Sequence, residues 1–413
     1  MRPALLLSAT AALLALNVAL AIAQRQGAFD QSLNHPAIQY RTADTHTVVD
    51  ALNQKLADKS ASLTFDPQTG YLKSVLDLLN IPVESQVLVY TQTSLQGRHI
   101  RMDNPRAIYF NDVASVGYIR GAGLLEIVAQ DPAMGSVFYT VRQEPVAAAT
   151  FGRDQQCLGC HVSWDTPAVA GQTILSTFPR KNDADYADGF AVDHYRPIED
   201  RWGGWYVTGK RVPAKHAGNL PLFMPSFARA SEGKPGSMPP PARVSLAGQI
   251  DLAGYLTPYS DVVALMVLDH QVHLVNLFTR ATWESRVGGA ASAARVAEAA
   301  DAIVDYLLFV DEAPITDGPI VGSSGFAEKF TAEGPRDAQG RSLRELDLKT
   351  RLQKYPLSYM IYSPPFQALP AEVKTLVMGK IDRVLAGEET GKKYAHLTPA
   401  LRPAIAEILK STM

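Results

Sequence analysis

Both cysteines of the 413-residue chain fall in one five-residue window, Cys157-Leu158-Gly159-Cys160-His161. Two thiols at this spacing, followed directly by an imidazole, suit the attachment of a c-type haem. Each sulfur adds across one vinyl group of the macrocycle, and His161 is then placed to turn its ring onto the iron as proximal ligand. Neutral imidazole is a good iron ligand, and axial ligation is a main control on potential. The window therefore predicts one covalently attached haem c, held by Cys157, Cys160 and His161. Two other chemistries use a CxxC pair. A redox disulfide usually opens a helix after a strand in a thioredoxin-like βαβ unit, whereas a run of short strands precedes this one. A zinc site needs about four ligands, and no second Cys or His pair lies nearby.

What faces His161 across the iron would decide the function. A strong sixth ligand gives a low-spin electron carrier; an open position gives gas binding or catalysis. His216, in "KRVPAKHAGN", is the first choice for a distal ligand: it follows the strand-like "GGWYVTGK", and Gly218 leaves room for close approach. His194, in "FAVDHYRP", is a weaker choice, with turn chemistry beside Asp193 as its alternative. Met224 and Met238 are the thioether candidates, Met238 the poorer because it sits in a Pro-rich stretch. His270 and His273 share one helix face at i, i+3. They are either core histidines with hydrogen-bond partners, for which Asp269 and Asn276 are at hand, or haem-pocket residues; a separate metal site from Asp269, His270 and His273 is a third reading. Trp164, Trp202, Trp205 and Tyr206 are expected either around the macrocycle or as ordinary core aromatics. His35, His46, His99 and His396 are expected at the surface. No catalytic residue is assigned.

Stepping outward, "VLVY", "RAIYF", "SVGYI", "LLEIVAQ" and "SVFYTVR" are short, β-branched and aromatic-rich, with Asn-Pro, Asn-Asp, Gly and "DPAMG" turns between them. They predict an antiparallel meander over 86–141. Helices are expected within 46–82, from Ser260 as N-cap through "DVVALMVLDHQVHLVNLFTRATWESR", over about 290–311, in "RSLRELDLKTRLQKY", and after "ALPAEV" and "LTPALR". "GGWYVTGK" reads as a strand, and 230–243 as a Pro/Gly linker or surface loop. The fold class is α+β: N-terminal helices and a β-meander, a central irregular haem c segment, and a mainly helical C-terminal half. The expected divisions are 1–23, 24–150, 151–245 and 246–413, forming one compact unit. Composition is that of an ordinary globular protein, 46% hydrophobic and 19% charged, and a net charge of -2 with no basic block gives no support for nucleic-acid binding. "MRPALLLSATAALLALNVALAIAQ" has the layout of a secretory signal, with Ala21-Ile22-Ala23 as an A-x-A site before Gln24. Its apolar stretch is also long enough to be an uncleaved membrane anchor.

The motif and signal, together with "ESQVLVYTQTSLQ", "NPRAIYFND", "RWGGWYVTG", "SDVVALMVLDHQVH", "GSSGFAEKF" and "RSLRELDLKTRL", resemble a family of exported bacterial mono-haem c-type cytochrome domain proteins. The resemblance implies haem binding and export, and carries no reaction with it. The expected function is that of a periplasmic electron carrier with a redox partner protein and no nucleic acid, touching a membrane only through an uncleaved N-terminal segment. The alternative is a haem c enzyme or gas sensor with an open distal position and peroxidase-like chemistry, using His270 or His273 as base.

Overall fold

The computed structural model describes residues 32–177, 189–221, 241–289 and 292–413; the signal-like segment, Met224 and Met238 lie outside them. The chain is mixed α/β, with an antiparallel meander of six strands and a helical C-terminal half. Helix α1 (Val48–Ala57) starts on a capping box: Thr47 Oγ1 accepts the Asp50 N–H, and the Asp50 carboxylate accepts the Thr47 N–H. Helix α2 (Leu72–Leu78) follows the Asp66–Gly70 turn.

Strands β1 (Val87–Val89), β2 (Arg106–Phe110), β3 (Ala114–Tyr118), β4 (Leu124–Asp131) and β5 (Gly135–Arg142) pair in chain order. A two-residue β6 (Gly152–Arg153), absent from the sequence reading, closes the edge and leads into the cysteine window. Strand alternation sorts the side chains. One face carries Ala107, Tyr109, Val116, Leu125, Ile127, Val137 and Tyr139, buried in one core with Val49, Leu52, Val75 and Leu76 of α1 and α2. The opposite face carries Arg106, Ile108, Gly117, Glu126, Val128 and Phe138; Ile108 and Val128 are only half-buried. This second face looks towards the CxxCH window.

After α3 (Leu158–His161), a two-stranded ribbon of β7 (Leu175–Thr177) and β8 (Gly189–Ala191) precedes the helical half. That half is built on α4 (Val262–Val287), of whose 26 residues 20 are buried. A helix apolar all round belongs inside a core, so its length and hydropathy, sufficient to cross a membrane, are used for packing. Helices α5 (Ser292–Leu307), α6 (Phe326–Ala332), α7 (Pro364–Gln367), α8 (Ala371–Ala386) and α9 (Leu401–Thr412) complete it.

Three local expectations need correction. The N-cap of α4 is Asp261, not Ser260: Asp261 Oδ1 accepts the Val263 and Ala264 N–H groups, while Ser260 Oγ donates to the Tyr206 carbonyl and accepts the Leu88 N–H. "GGWYVTGK" forms only isolated bridges, Val89 with Trp205 and Thr208 with Asp261. It pairs with β1 through the Tyr90 N–H to Gly204 O and Tyr206 N–H to Leu88 O bonds, and then passes to Ser260 and Val262, which bond the Thr208 N–H and carbonyl. "RSLRELDLKTRLQKY" is a tight reversal, with Asp347 N–H bonded to Leu352 O, Leu348 N–H to Arg351 O, and Leu348 at φ 56°. Leu343, Arg344 and Leu352 are buried without a helix between them.

Asp261 is fully buried, and its Oδ2 also accepts from the Ser323 and Ser324 N–H groups at 2.6 and 2.8 Å. Losing a helix cap and leaving further buried donors unpaired costs about 3 kcal/mol. Asp261→Ala is therefore expected to lower the urea unfolding free energy by about that amount, with Asp261→Asn recovering part of it.

Candidate functional site

The window opens on a cap. Asp154 Oδ1 accepts the Gln156 N–H at 3.0 Å, starting a 3₁₀ turn over Gln155–Cys157 that runs into α3. Cys157 is half-buried and Cys160 exposed, and both are free thiols. Burial pushes the Cys157 thiol up to about 12, with the Asp154 and Glu126 charges adding to it. A Cβ placed on Gly159 would meet nothing within 4 Å, so the outer side of α3 is open.

The His161 ring lies 4.6 Å from the Phe138 ring of β5. Its Nδ1 is 2.9 Å from the Gly171 carbonyl oxygen. A carbonyl can only accept, so Nδ1 carries the proton and Nε2 keeps its lone pair. The one hydrogen bond described for the ring is at Nδ1, and none is described at Nε2. Burial lowers the ring to about 4, and the Arg106 charge adds to this against the Gly171 hydrogen bond, so the imidazole is neutral at neutral pH.

The support for that ring is local on one side and distant on the other. The Gly171 N–H returns to the His161 carbonyl at 3.0 Å, so the two residues exchange hydrogen bonds. Thr166, inside the loop they close, accepts the Ser163 N–H at 2.9 Å and reaches the Val169 carbonyl at 2.8 Å. Asn276 of α4 holds the next residue by its backbone: its Oδ1 accepts the Gln172 N–H at 3.0 Å, and its Nδ2 donates to the Gln172 carbonyl at 2.7 Å. A Cβ on Gly171 would sit 2.3 Å from Asn276 Oδ1, so this approach requires glycine.

On the half-open sheet face, Arg106 lies across Gly117, where a Cβ would come within 2.6 Å of its Nη2. Nη2 pairs with Glu126 at 2.7 Å, and Nε is buried without a partner among the described residues. Burial would raise the Glu126 carboxyl, but Arg106 and hydrogen bonds from Ser94 and Gln96 outweigh it and hold it below the usual range. The donor set is thus two free thiols, a neutral imidazole with Nε2 available, an aromatic wall and a cation with unused capacity.

The other histidines gather elsewhere. His194 and His270 are fully buried and face each other, Nδ1 to Nδ1, at 3.0 Å. His270 Nε2 is 2.7 Å from Ser358 Oγ, and His194 stacks on Tyr306 at 3.8 Å. His273, half-buried, stacks on Tyr306 at 4.6 Å and lies 3.7 Å from the Asp193 carboxylate. The partners of His270 are therefore His194 and Ser358, not Asp269 or Asn276. Asp269 instead accepts the Trp202 indole N–H at 2.9 Å and faces Arg201 at 3.7 Å. No group of three His, Cys, Asp or Glu among the described residues is arranged to hold a metal ion, the Asp269, His270 and His273 set included.

His216 is buried. Its Nδ1 accepts the Gly218 N–H at 3.1 Å, its Nε2 has no partner among the described residues, and its ring meets the edge of Trp202 at 5.9 Å. No described hydrogen bond or ring contact links His161 to His216, His194, His270 or His273. Trp202, Trp205 and Tyr206 are core residues whose polar atoms are committed to Asp269, the Leu175 carbonyl and the Met102 carbonyl. Trp164, three residues after His161, is 78% exposed. His46 is exposed, and His35, His99 and His396 are half-buried.

Sequence reasoning missed Phe138, Gly171, Arg106 and Glu126, and assigned Asn276 to the wrong partner. Only the "RAIYF" and "LLEIVAQ" alternation could have shown Arg106 and Glu126 on the face shared with Phe138. Comparison of the chain with models of known families, with characterised proteins and with solved structures gives no match.

Proposed function

We propose that the protein is an exported mono-haem c-type cytochrome that passes electrons to or from a partner protein in the periplasm. The observation that carries the reading is the His161 ring. It directly follows two unpaired thiols, commits Nδ1–H to a backbone carbonyl, and leaves Nε2 free as an iron ligand. The unpartnered Arg106 Nε and the half-buried Val128 paired with Phe138 suit an apolar macrocycle with acidic substituents. The secretory-type N-terminus agrees with attachment outside the cytoplasm, and the resemblance to exported mono-haem proteins points the same way.

When bound, haem c supplies reversible one-electron chemistry at its iron. The chain's part is to fix the sulfurs, to hold His161 neutral and oriented, and to shield one side of the ring with Phe138.

Optical spectra of the purified full-length protein test this reading. The expected result is one covalent haem per chain, with low-spin ferric and ferrous bands unchanged by carbon monoxide. A high-spin spectrum that shifts with carbon monoxide would replace the carrier with the gas-binding or peroxidase-like alternative, and absence of haem would remove both. A low-spin spectrum unchanged in His216→Ala would reject His216 as sixth ligand.

A further inference from the structure

The middle of α4 holds an asparagine whose side chain does nothing for the helix itself. Asn276 is 1% exposed, and both ends of its amide are spent on the backbone of Gln172, 104 residues away. A buried amide is costly unless satisfied, and an apolar residue would suit this helix better on packing grounds alone. What the amide secures is the position of the peptide joining Gly171 to Gln172, whose carbonyl oxygen accepts the His161 Nδ1–H.

The second support of the ring rests on the same helix. β5, which carries Phe138, approaches α4 so closely that a Cβ on Gly135 would lie 2.3 Å from Thr279 Cγ2. Thr279 is one turn from Asn276. The aromatic wall and the carbonyl acceptor of His161 are thus both set from a single turn of α4. The exchange of bonds between Gly171 and His161 is local and closes only a short loop; without an outside reference, that loop and the imidazole could rotate together.

We infer that Asn276 is a positioning residue for the iron ligand His161, acting through the Gly171 carbonyl. The inference rests on the haem c reading. The hydrogen bond at Nδ1 governs how strongly Nε2 donates to a metal, so loosening its acceptor weakens donation and favours the ferrous state.

The test compares Asn276→Leu with Gln271→Leu. Gln271 is another buried amide of α4, bonded to the Asn111 carbonyl and the Tyr359 hydroxyl, and serves as a control for structural damage. In the haem-loaded protein, Asn276→Leu is expected to move the midpoint potential in the positive direction, and Gln271→Leu to leave it near wild type. In haem-free full-length chains, hydrogen exchange at the Gly171 amide is expected to accelerate in Asn276→Leu only. Haem present, with potential and Gly171 exchange both unchanged in Asn276→Leu, would overturn the inference. Equal shifts in both variants would reduce Asn276 to a stability residue and also overturn it. A wild-type chain without covalent haem would instead remove the reading beneath it, and the exchange data would then report only a structural clamp.

Discussion

Replacing Cys157 and Cys160 together with alanine is expected to abolish covalent pigment while leaving the fold intact. Wild-type protein run under denaturing conditions should keep its haem stain, and its mass should exceed that of the mature chain by one haem. The double variant should show neither. In each thioether the sulfur bonds to one vinyl carbon and the thiol hydrogen passes to the other, so two thiols and two vinyl groups balance without an oxidant. The fold should survive because Cys160 is exposed and Cys157 only half-buried; a small truncation at such a site costs about 1 kcal/mol or less. Far-ultraviolet circular dichroism of the double variant should therefore match that of wild type. Pigment that stays bound through denaturation in the double variant would place the attachment elsewhere and withdraw the assignment of both sulfurs.

The second large effect is loss of stability in mild acid. His270 is lowered to about 3, first by burial and then by the charges of His273 and Arg201, and His194 is lowered well below its usual value for the same leading reason. Unfolded histidine titrates near 6.5. Between that value and the folded one, the unfolded chain binds more protons, so the stability these residues contribute is present above about 6.5 and is lost as pH falls. From pH 7 to pH 5 the loss is about 2 kcal/mol for His270, and His194 adds to it in the same direction. Asp269, raised to about 7 by burial against the opposing charge of Arg201, acts in the other direction. Its folded form takes up a proton before the unfolded form does, and it returns about 2 kcal/mol over the same range. Tyr306, Asp193 and His273 complete the surroundings. Glu312, raised to about 7 by burial, acts with Asp269. His161 and His216, each lowered to about 4 by burial, act with the two histidines. Urea unfolding of haem-free protein at pH 7 and pH 5 should therefore show a net loss. A double variant His194→Phe and His270→Phe, retaining the stacking on Tyr306 and Phe309, should lose at least about 2 kcal/mol less on acidification than wild type. Parallel pH profiles for the two proteins would refute the assignment.

The parts of this molecule legible in its sequence are those written in short windows. The alternating runs between turn residues gave all but the shortest strand of the sheet, whereas CxxCH proposes a chemistry that the spectra are to test. The apolar run from Val262 to Val287 reads as a long helix, and it is one. What escaped is set by partners far along the chain. "RSLRELDLKTRLQKY" has a helix-like apolar spacing yet forms a reversal, and its Arg344 is held by the rings of Phe330 and Tyr359, far from it along the chain in either direction. The pairing of His270 with His194 spans 76 residues, and no spacing within "LDHQVH" indicates it. Gly171 has no local signal at all; its role comes from a carbonyl oxygen, which every residue possesses.

The polar side chains of α4 have a kinetic consequence. His270 reaches Ser358 across 88 residues, Gln271 reaches Asn111 across 160, Asn276 reaches Gln172 across 104, and Asp269 receives Trp202 across 67. Each bond closes a long loop, and chains rich in such contacts fold slowly and often through intermediates. The anchor loop behind His161 cannot acquire its outer clamp until a helix made more than a hundred residues later has docked. Early in folding the two thiols and the imidazole therefore sit on a segment closed only by its own short loop, and the orientation of the imidazole is among the last features of the native state to be set.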